Sequence, residues 1–326
     1  MLLRLGYVPT LVVSSVEMVK EITNNHDVIF ADRPSLTGVG IVLNGCLDMA
    51  FGPYCDYSRE VKKLCVLQLL SHKRVQQFHF IREEEVEKIV ERIQRVNGAP
   101  INLSDMFTSL AHNILSRSAF GSLYEDQNGV DTTAATMEFM MAELIKNPRI
   151  MKKAQEEIRR VVGNSKSNIT VSDINQMEYL KCVMKETLRF HASGAIARQT
   201  SANVKLKGYD IPAKTRVIIN TWAIHMDPTL WDRPEEFLPE RFLDSTDDSD
   251  GEQKNPLFSF GTGTRVCPGM SYAYAEVEYA IANLLYWFDW ELPDGARVED
   301  LDMSEVITIV IRKKTPLWVV AHSYFP

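Results

Sequence analysis

The chain has 326 residues, 45% of them apolar, and a formal charge of −7 at neutral pH. That length and composition can bury a sizeable core. An acidic balance with no basic cluster at either end argues against a nucleic-acid-binding surface.

Five cysteines are an odd set. Cys46, Cys55, Cys65 and Cys182 show neither Cys-x-x-Cys spacing nor paired histidines. That argues against a disulfide framework and a zinc site, and fits a reducing compartment. No apolar run reaches the roughly eighteen residues of a membrane-spanning helix. The amino end does not read as a signal peptide.

In chain order, residues 10–13 read as a strand. Ser14, with Glu17 three residues on, reads as a capping box opening a helix through 24. Residues 56–70 have a helical pattern, and 82–95 form a second, highly charged helix. Residues 100–103 break the pattern. Ser104 starts a helix that stops at Phe120-Gly121. A helix over 130–146 ends at Asn147-Pro148, another over 149–162 closes at Gly163, and a third spans 177–190. Between 204 and 220, β-branched runs alternate with turn signals at Gly208 and Ile211-Pro212, which predicts short strands. Residues 227–242 are a proline-punctuated loop region, 244–251 an acidic loop, 270–290 a long helix, and 305–321 strand-like. The sequence predicts a mainly α fold with small β-sheets and no internal repeat.

The most informative stretch is Phe260-Gly261-Thr262-Gly263-Thr264-Arg265-Val266-Cys267-Pro268-Gly269. One thiol sits in a glycine-rich loop directly ahead of a long helix. The glycines let backbone N–H groups approach the sulfur, and a helix N-terminus favours negative charge. That suits a thiolate ligand for haem iron, and a thiolate ligand favours O–O cleavage. Upstream, Glu186 and Arg189 are three apart, which places both charges on one helix face. Pro239-Glu240-Arg241-Phe242 and Asp131-Thr132-Thr133 complete the set. An ordinary surface pair for Glu186 and Arg189, and a plain helix N-cap for Asp131 or Thr132, are the bland alternatives.

Taken together, these stretches resemble the cytochrome P450 family, microsomal plant type. The loop matches its haem-binding signature Phe-x-x-Gly-x-Arg-x-Cys-x-Gly. The resemblance runs from residue 1 to 321 and implies a truncated P450 fold. It implies that Cys267 is the metal ligand to haem (iron protoporphyrin), that Phe260, Gly263 and Gly269 are cofactor-binding, with Phe260 shielding the iron–sulfur bond, and that Arg265 pairs with a propionate. Arg198, Arg59 and Lys62 are further candidates for the propionates. Glu186, Arg189 and Arg241 would form a buried structural network. Asp131 and Thr132 would be catalytic: Thr132 would hydrogen-bond dioxygen or a water beside it, and Asp131 would relay protons. Ile196, Ile307 and Thr308 align with substrate-lining positions.

The chain also departs from the family pattern. Ser58 replaces a tryptophan and Lys62 an arginine on the 56–70 helix; a lysine lacks the bidentate fork. Asn128-Gly129 stands for Ala-Gly. The segment after His191 lacks the usual prolines. The resemblance implies a membrane anchor and a proline-rich hinge at the amino end, and the expectation is that this sequence starts beyond both. Between 121 and 131 only a few polar residues stand where the family has several helices, roughly a hundred residues or more. The expectation is one incomplete domain over 1–326, with the junction near 121–129.

The resemblance implies a haem-thiolate monooxygenase. It would insert one oxygen atom from dioxygen into an apolar small molecule, using NADPH electrons through an NADPH–P450 reductase. It also implies the cytosolic face of the endoplasmic reticulum membrane, or a soluble or peripheral location if this chain is the whole product. A non-catalytic truncated product that binds haem weakly or not at all is the alternative. A thiolate-haem isomerase or dehydratase is a third reading.

Overall fold

A computed structural model describes residues 1–123, 132–163, 168–191, 197–243, 257–307 and 310–324. The chain opens with β1 (Leu2–Leu5), β2 (Val8–Val13), α1 (Val16–Asn25), α2 (Thr37–Val42) and α3 (Asp56–Cys65), which runs into a π-turn at Val66–Leu70. Then come α4 (His72–Gln77), α5 (His79–Val96), β3 (Ile101–Asn102), α6 (Leu103–Phe120), α7 (Thr132–Lys146), α8 (Pro148–Val162), α9 (Val171–Asn175) and α10 (Glu178–Phe190). β4 (Arg198–Gln199), β5 (Val204–Leu206), β6 (Tyr209–Ile211), β7 (Arg216–Ile219) and α11 (Thr221–His225) follow. The chain ends with α12 (Met270–Trp287), β8 (Phe288–Glu291), β9 (Glu305–Ile307), β10 (Ile311–Lys313) and β11 (Trp318–Ser323). This is the mainly helical fold with small sheets that the sequence predicts.

Two compact units divide the chain. The first holds Met1–Ser71, Gly194–Pro234 and Pro256–Met270; the second holds His72–Ser193, Glu235–Asn255 and Ser271–Pro326.

In the first unit, a four-stranded sheet runs in the order β1-β2-β7-β4. β1 and β2 form an antiparallel hairpin through Gly6 at φ +63°. β2 and β7 pair in parallel, Thr10 opposite Arg216 and Val13 opposite Ile219. Val13 and Val217 pack with Val19 and Ile22 of α1, with Phe30, and with Ile224 of α11. Val19 and Ile22 are three apart, so one face of α1 covers this apolar layer. Ser15 caps α1, its hydroxyl accepting from the Met18 amide at 3.4 Å. The expected cap at Ser14 is therefore one residue early, and the expected partner Glu17 pairs with Lys207 instead.

In the second unit, α7 is buried nearly all round, from Thr133 to Ile145. A helix buried on nearly every face belongs inside a bundle, and α7 packs against α6, α8 and α10. α8 is amphipathic: Ile150, Met151, Ala154, Ile158 and Val162 face inward. Pro148 sits in its first turn, where a missing N–H costs no hydrogen bond. β3, β11 and β8 form a three-stranded sheet, and β9 and β10 a separate antiparallel hairpin whose β10 packs on α7. The expected helix over 270–290 ends earlier, at Trp287. Phe288–Glu291 instead pairs with β11, Phe288 opposite Ser323. Strand pairing outcompetes another helical turn there. The short helices α2 and α9 carry too few residues for a period to show in the sequence.

Candidate functional site

The Cys267 loop lies in the first unit, between Phe258 and Met270. It is closed by its own backbone. The Cys267 amide donates to the Phe260 carbonyl at 2.8 Å, the Val266 amide to Gly263 at 2.9 Å, and the Gly261 amide to Phe258 at 2.8 Å. Gly261 and Gly263 take φ of +75° and +58°, a region open to glycine at little cost. Gly263 has a second reason to lack a side chain: a Cβ there would collide with the Asp27 carboxylate.

Asp27, just past the end of α1, braces this loop. Its Oδ2 accepts from the Thr264 amide at 2.6 Å and from the Thr264 hydroxyl. Its Oδ1 accepts from Arg198 at 3.3 Å. Arg198 also donates to the Thr262 carbonyl, so the pair brackets residues 262–264. From α3, Lys62 Nζ donates to the carbonyls of Thr264 at 2.7 Å and Val266 at 3.2 Å. Arg265 donates to the carbonyls of Ala31, Met49 and Gly52 at 2.7, 3.4 and 2.8 Å. Arg33 donates to those of Ala50 and Ala197 at 2.8 and 3.0 Å.

Of the expected propionate residues, the structure brings Lys62, Arg198 and Arg265 to the loop. It does not bring Arg59, which pairs with Asp56 and lies 5.7 Å from the Tyr54 ring centre. Arg59 and Lys62 share a helix face by spacing; the nearer carboxylate captures Arg59.

Cys267 is solvent-exposed. Even so, desolvation by the surrounding protein pushes its thiol above the usual range, while the Gly269 N–H and Lys62 pull it down. The loop's electrostatics therefore do not by themselves make a thiolate, as the sequence had suggested. Deprotonation is left to metal binding, which requires the thiolate.

The cations around the loop strain one another. Burial lowers the Arg33 guanidinium to about 9, and Arg265 and Arg198 add to the effect. Lys62 is lowered by burial and by Arg265, and Arg265 by burial and by Arg198. An anionic group entering here relieves that repulsion. An accessible sulfur in a loop held by Lys62, Arg198 and Arg265, with Arg33 acting on the same cation cluster, has the donor chemistry for an iron porphyrin with two carboxylates, so the residues present fit haem. Cys267 would ligate the iron, and Lys62, Arg198, Arg265 and Arg33 would face the propionates.

The second unit holds the glutamate–arginine network. Glu186 and Arg189 have no solvent exposure. The Glu186 carboxylate accepts two hydrogen bonds from Arg189, both at 2.8 Å, one from the Leu238 amide at 2.8 Å, and one from Arg241 at 3.1 Å. Arg189 and Arg241 both donate to the Glu236 carbonyl, at 3.2 and 3.3 Å. One buried charge thus pins the 236–241 loop to α10. A buried carboxylate holds its charge only with this kind of full pairing.

Also in the second unit, Thr132 opens the described part of α7 and is exposed. Its carbonyl accepts from the Thr136 hydroxyl at 2.9 Å. A small solvent-open cleft is lined there by Thr132, Ala135, Thr136, Phe139, His191 and Ile311, among others. Asp131, Asn128, Gly129, Ile196 and Thr308 lie outside the described residues. Ile307 is exposed on β9.

Sequence reasoning missed Asp27, Arg33 and Thr264. Asp27 and Thr264 are 237 residues apart, and no local pattern connects them. The contacts of the His191 ring with Glu143 and Glu305 were missed for the same reason.

The cytochrome P450 family model matches residues 1–128 and 127–320. Cytochrome P450 71A1 of Persea americana is 37% identical over 436 aligned positions, covering 99% of this chain and 86% of that one. Phenylacetaldehyde oxime monooxygenase of Prunus mume is 35% identical, covering 100% and 83%. Psoralen synthase of Ammi majus is 34% identical, covering 99% and 85%. Among solved structures, a zebra fish cytochrome P450 with abiraterone superposes with a TM-score of 0.88 at 22% identity, covering 99% of this chain and 96% of that one. A match of this extent, on a chain whose thiol loop and buried glutamate–arginine network stand as described, makes this protein a member of the cytochrome P450 family.

Proposed function

We propose that this P450, a haem-thiolate monooxygenase acting on small molecules, works through Cys267 as its metal ligand. The observation that carries the assignment is the braced Cys267 loop with its cluster of mutually repelling cations. When bound, haem supplies the oxygen-activating chemistry, which a thiolate ligand favours. Lys62 and the Gly269 N–H stabilise the negative sulfur. Lys62, Arg198, Arg265 and Arg33 balance the propionates. Asp27 holds the loop in register. Glu186, Arg189 and Arg241 fix the 236–241 segment. The Thr132 hydroxyl holds a proton for transfer, and Asp131 replenishes it. An acidic residue next in sequence to a hydroxyl is a chemically sensible pair for proton delivery.

The balanced reaction places one atom of dioxygen in the substrate and the other in water, consuming two electrons and two protons. We propose NADPH–P450 reductase as the redox partner and an apolar small molecule as substrate. We place the protein at the cytosolic face of the endoplasmic reticulum membrane. Among the described residues no helix is long and apolar enough to cross a membrane, so that location rests on the plant relatives. We further propose one P450 domain lacking a segment near 121–129. The family model's two matched stretches meeting at 127–128 support this, as does an alignment of 436 positions for a chain of 326 residues. Relatives matching across nearly the whole chain favour the enzyme over a non-catalytic product.

The test is NADPH oxidation by the haem-loaded chain with added plant reductase. Oxidation that needs the reductase, dioxygen and Cys267 is expected. Oxidation equal in Cys267→Ala would overturn the assignment.

A further inference from the structure

His191 closes α10, its amide donating to the Thr187 carbonyl at 2.9 Å. Its ring is buried, with only 6% of the side chain exposed. Nε2 lies 2.9 Å from Glu143 of α7, and Nδ1 lies 2.8 Å from Glu305 of β9. The Phe139 ring stacks on it at 4.1 Å, nearly parallel, and Phe190 meets it edge-on at 5.3 Å.

Both ring nitrogens therefore face carboxylate oxygens. An ionised carboxylate only accepts, and a neutral imidazole has only one N–H. The arrangement satisfies both contacts only with the imidazolium. A neutral ring would turn a lone pair towards one carboxylate and lose that bond.

The two arms differ. Glu143 is also held by Asn147, whose side-chain amide donates to its Oε2 at 3.1 Å and to its backbone carbonyl at 2.9 Å. Glu305 has no second partner among the described residues, and its side chain is 35% exposed. β9 is exposed along its length and, among the described residues, pairs with β10 alone. A two-stranded hairpin is marginal by itself. It depends on packing of β10 against α7, on Lys313 donating to the Asp302 carbonyl, and on the His191–Glu305 bond. The same ring lines the cleft with Thr132, Thr136, Val310 and Ile311.

From this juxtaposition we infer that His191 is a positioning residue: as an imidazolium it clamps the β9–β10 hairpin to α7, and its deprotonation loosens the hairpin and reshapes the cleft. That the cleft receives substrate rests on the monooxygenase reading; the clamp does not.

The charged groups facing the ring are Glu143 from α7 and Glu305 from β9. Lys313 of β10 interacts electrostatically with Glu143, the ring's partner on α7. No charged side chain of α10 is among the principal influences on the ring. Burial disfavours the imidazolium, but the hydrogen bonds to Glu143 and Glu305 outweigh it and raise the ring above its ordinary 6.5. With the folded value raised, the clamp is fully present below 6.5 and is lost as pH rises through the folded value.

The test uses the haem-loaded chain in two measurements. Nitrogen NMR of histidine-labelled protein, with the His191 signal assigned through His191→Gln, reads ring protonation. Two N–H protons should persist above pH 6.5. A neutral ring at neutral pH would overturn the inference. Hydrogen exchange of peptides covering 302–314, corrected for intrinsic rate, reads the clamp. In wild type, exchange should rise about tenfold as the ring deprotonates, the effect of losing one charge-assisted hydrogen bond. Glu305→Ala should show the fast exchange at every pH, because it removes the acceptor facing Nδ1. Wild type and Glu305→Ala exchanging alike, with no pH step, would sink the clamp while leaving the monooxygenase reading intact.

Discussion

Asp27 Oδ2 accepts the Thr264 amide at 2.6 Å, joining the end of α1 to the Cys267 loop across 237 residues of sequence. The carboxylate also takes the Thr264 hydroxyl and Arg198, so three donors converge on one side chain. Asp27→Ala leaves those donors without their acceptor, at a cost of about 1–3 kcal/mol. We expect a lower denaturation midpoint and haem lost more readily to apomyoglobin. Unchanged haem retention would show that the loop holds its shape without Asp27.

Gly263→Ala tests the same contact from the loop side. Its φ of +58° already disfavours a side chain, and the new methyl would meet the Asp27 carboxylate. Strain of about 1–3 kcal/mol is expected, read as reduced haem occupancy after purification. A normal occupancy would mean that Asp27 moves aside freely.

Glu186→Ala removes the buried carboxylate that accepts from both Arg189 and Arg241. Removing one partner of a buried ion pair costs about 3–5 kcal/mol. The variant should be poorly soluble and haem-free, measured as the ratio of haem absorbance to protein. Full haem content would contradict the bracing role of this network.

The Cys267 thiol is pushed up by burial and pulled down by the Gly269 N–H and Lys62. Lys62→Met removes one of the two opposing influences and should push the thiol further up. The thiolate is the nucleophile. Alkylation of Cys267 in haem-free protein should therefore speed up with pH in both forms and run slower in Lys62→Met at any one pH. The Cys267 peptide is followed by mass spectrometry, because Cys55 is also exposed. Equal rates in both forms would remove Lys62 from the electrostatics of the loop.

The sequence reveals whatever is encoded over a few residues. Cys267, Gly263, Arg265 and Gly269 sit in one ten-residue stretch, and Glu186 and Arg189 in one helical turn. Helices of fifteen residues or so, such as α6, α7 and α8, show through their caps and periods. Where two local patterns compete, sequence alone does not decide: Phe288-Asp289-Trp290 suits a last helical turn or a strand, and pairing with β11 settles it. Arg59 shows the limit of spacing, since a helix face says where a side chain starts and not which carboxylate captures it. Asp27, Arg33 and His191 act through partners far along the chain. Only the folded structure brings those partners together.

The most direct measurement is the absorption spectrum of the haem-loaded, dithionite-reduced protein under carbon monoxide, for wild type and Cys267→Ala. Wild type should show the red-shifted Soret band of a thiolate-ligated carbonyl haem, and Cys267→Ala should lack it. A wild-type spectrum typical of imidazole ligation, or a thiolate-type band that survives the substitution, would contradict Cys267 as the iron ligand.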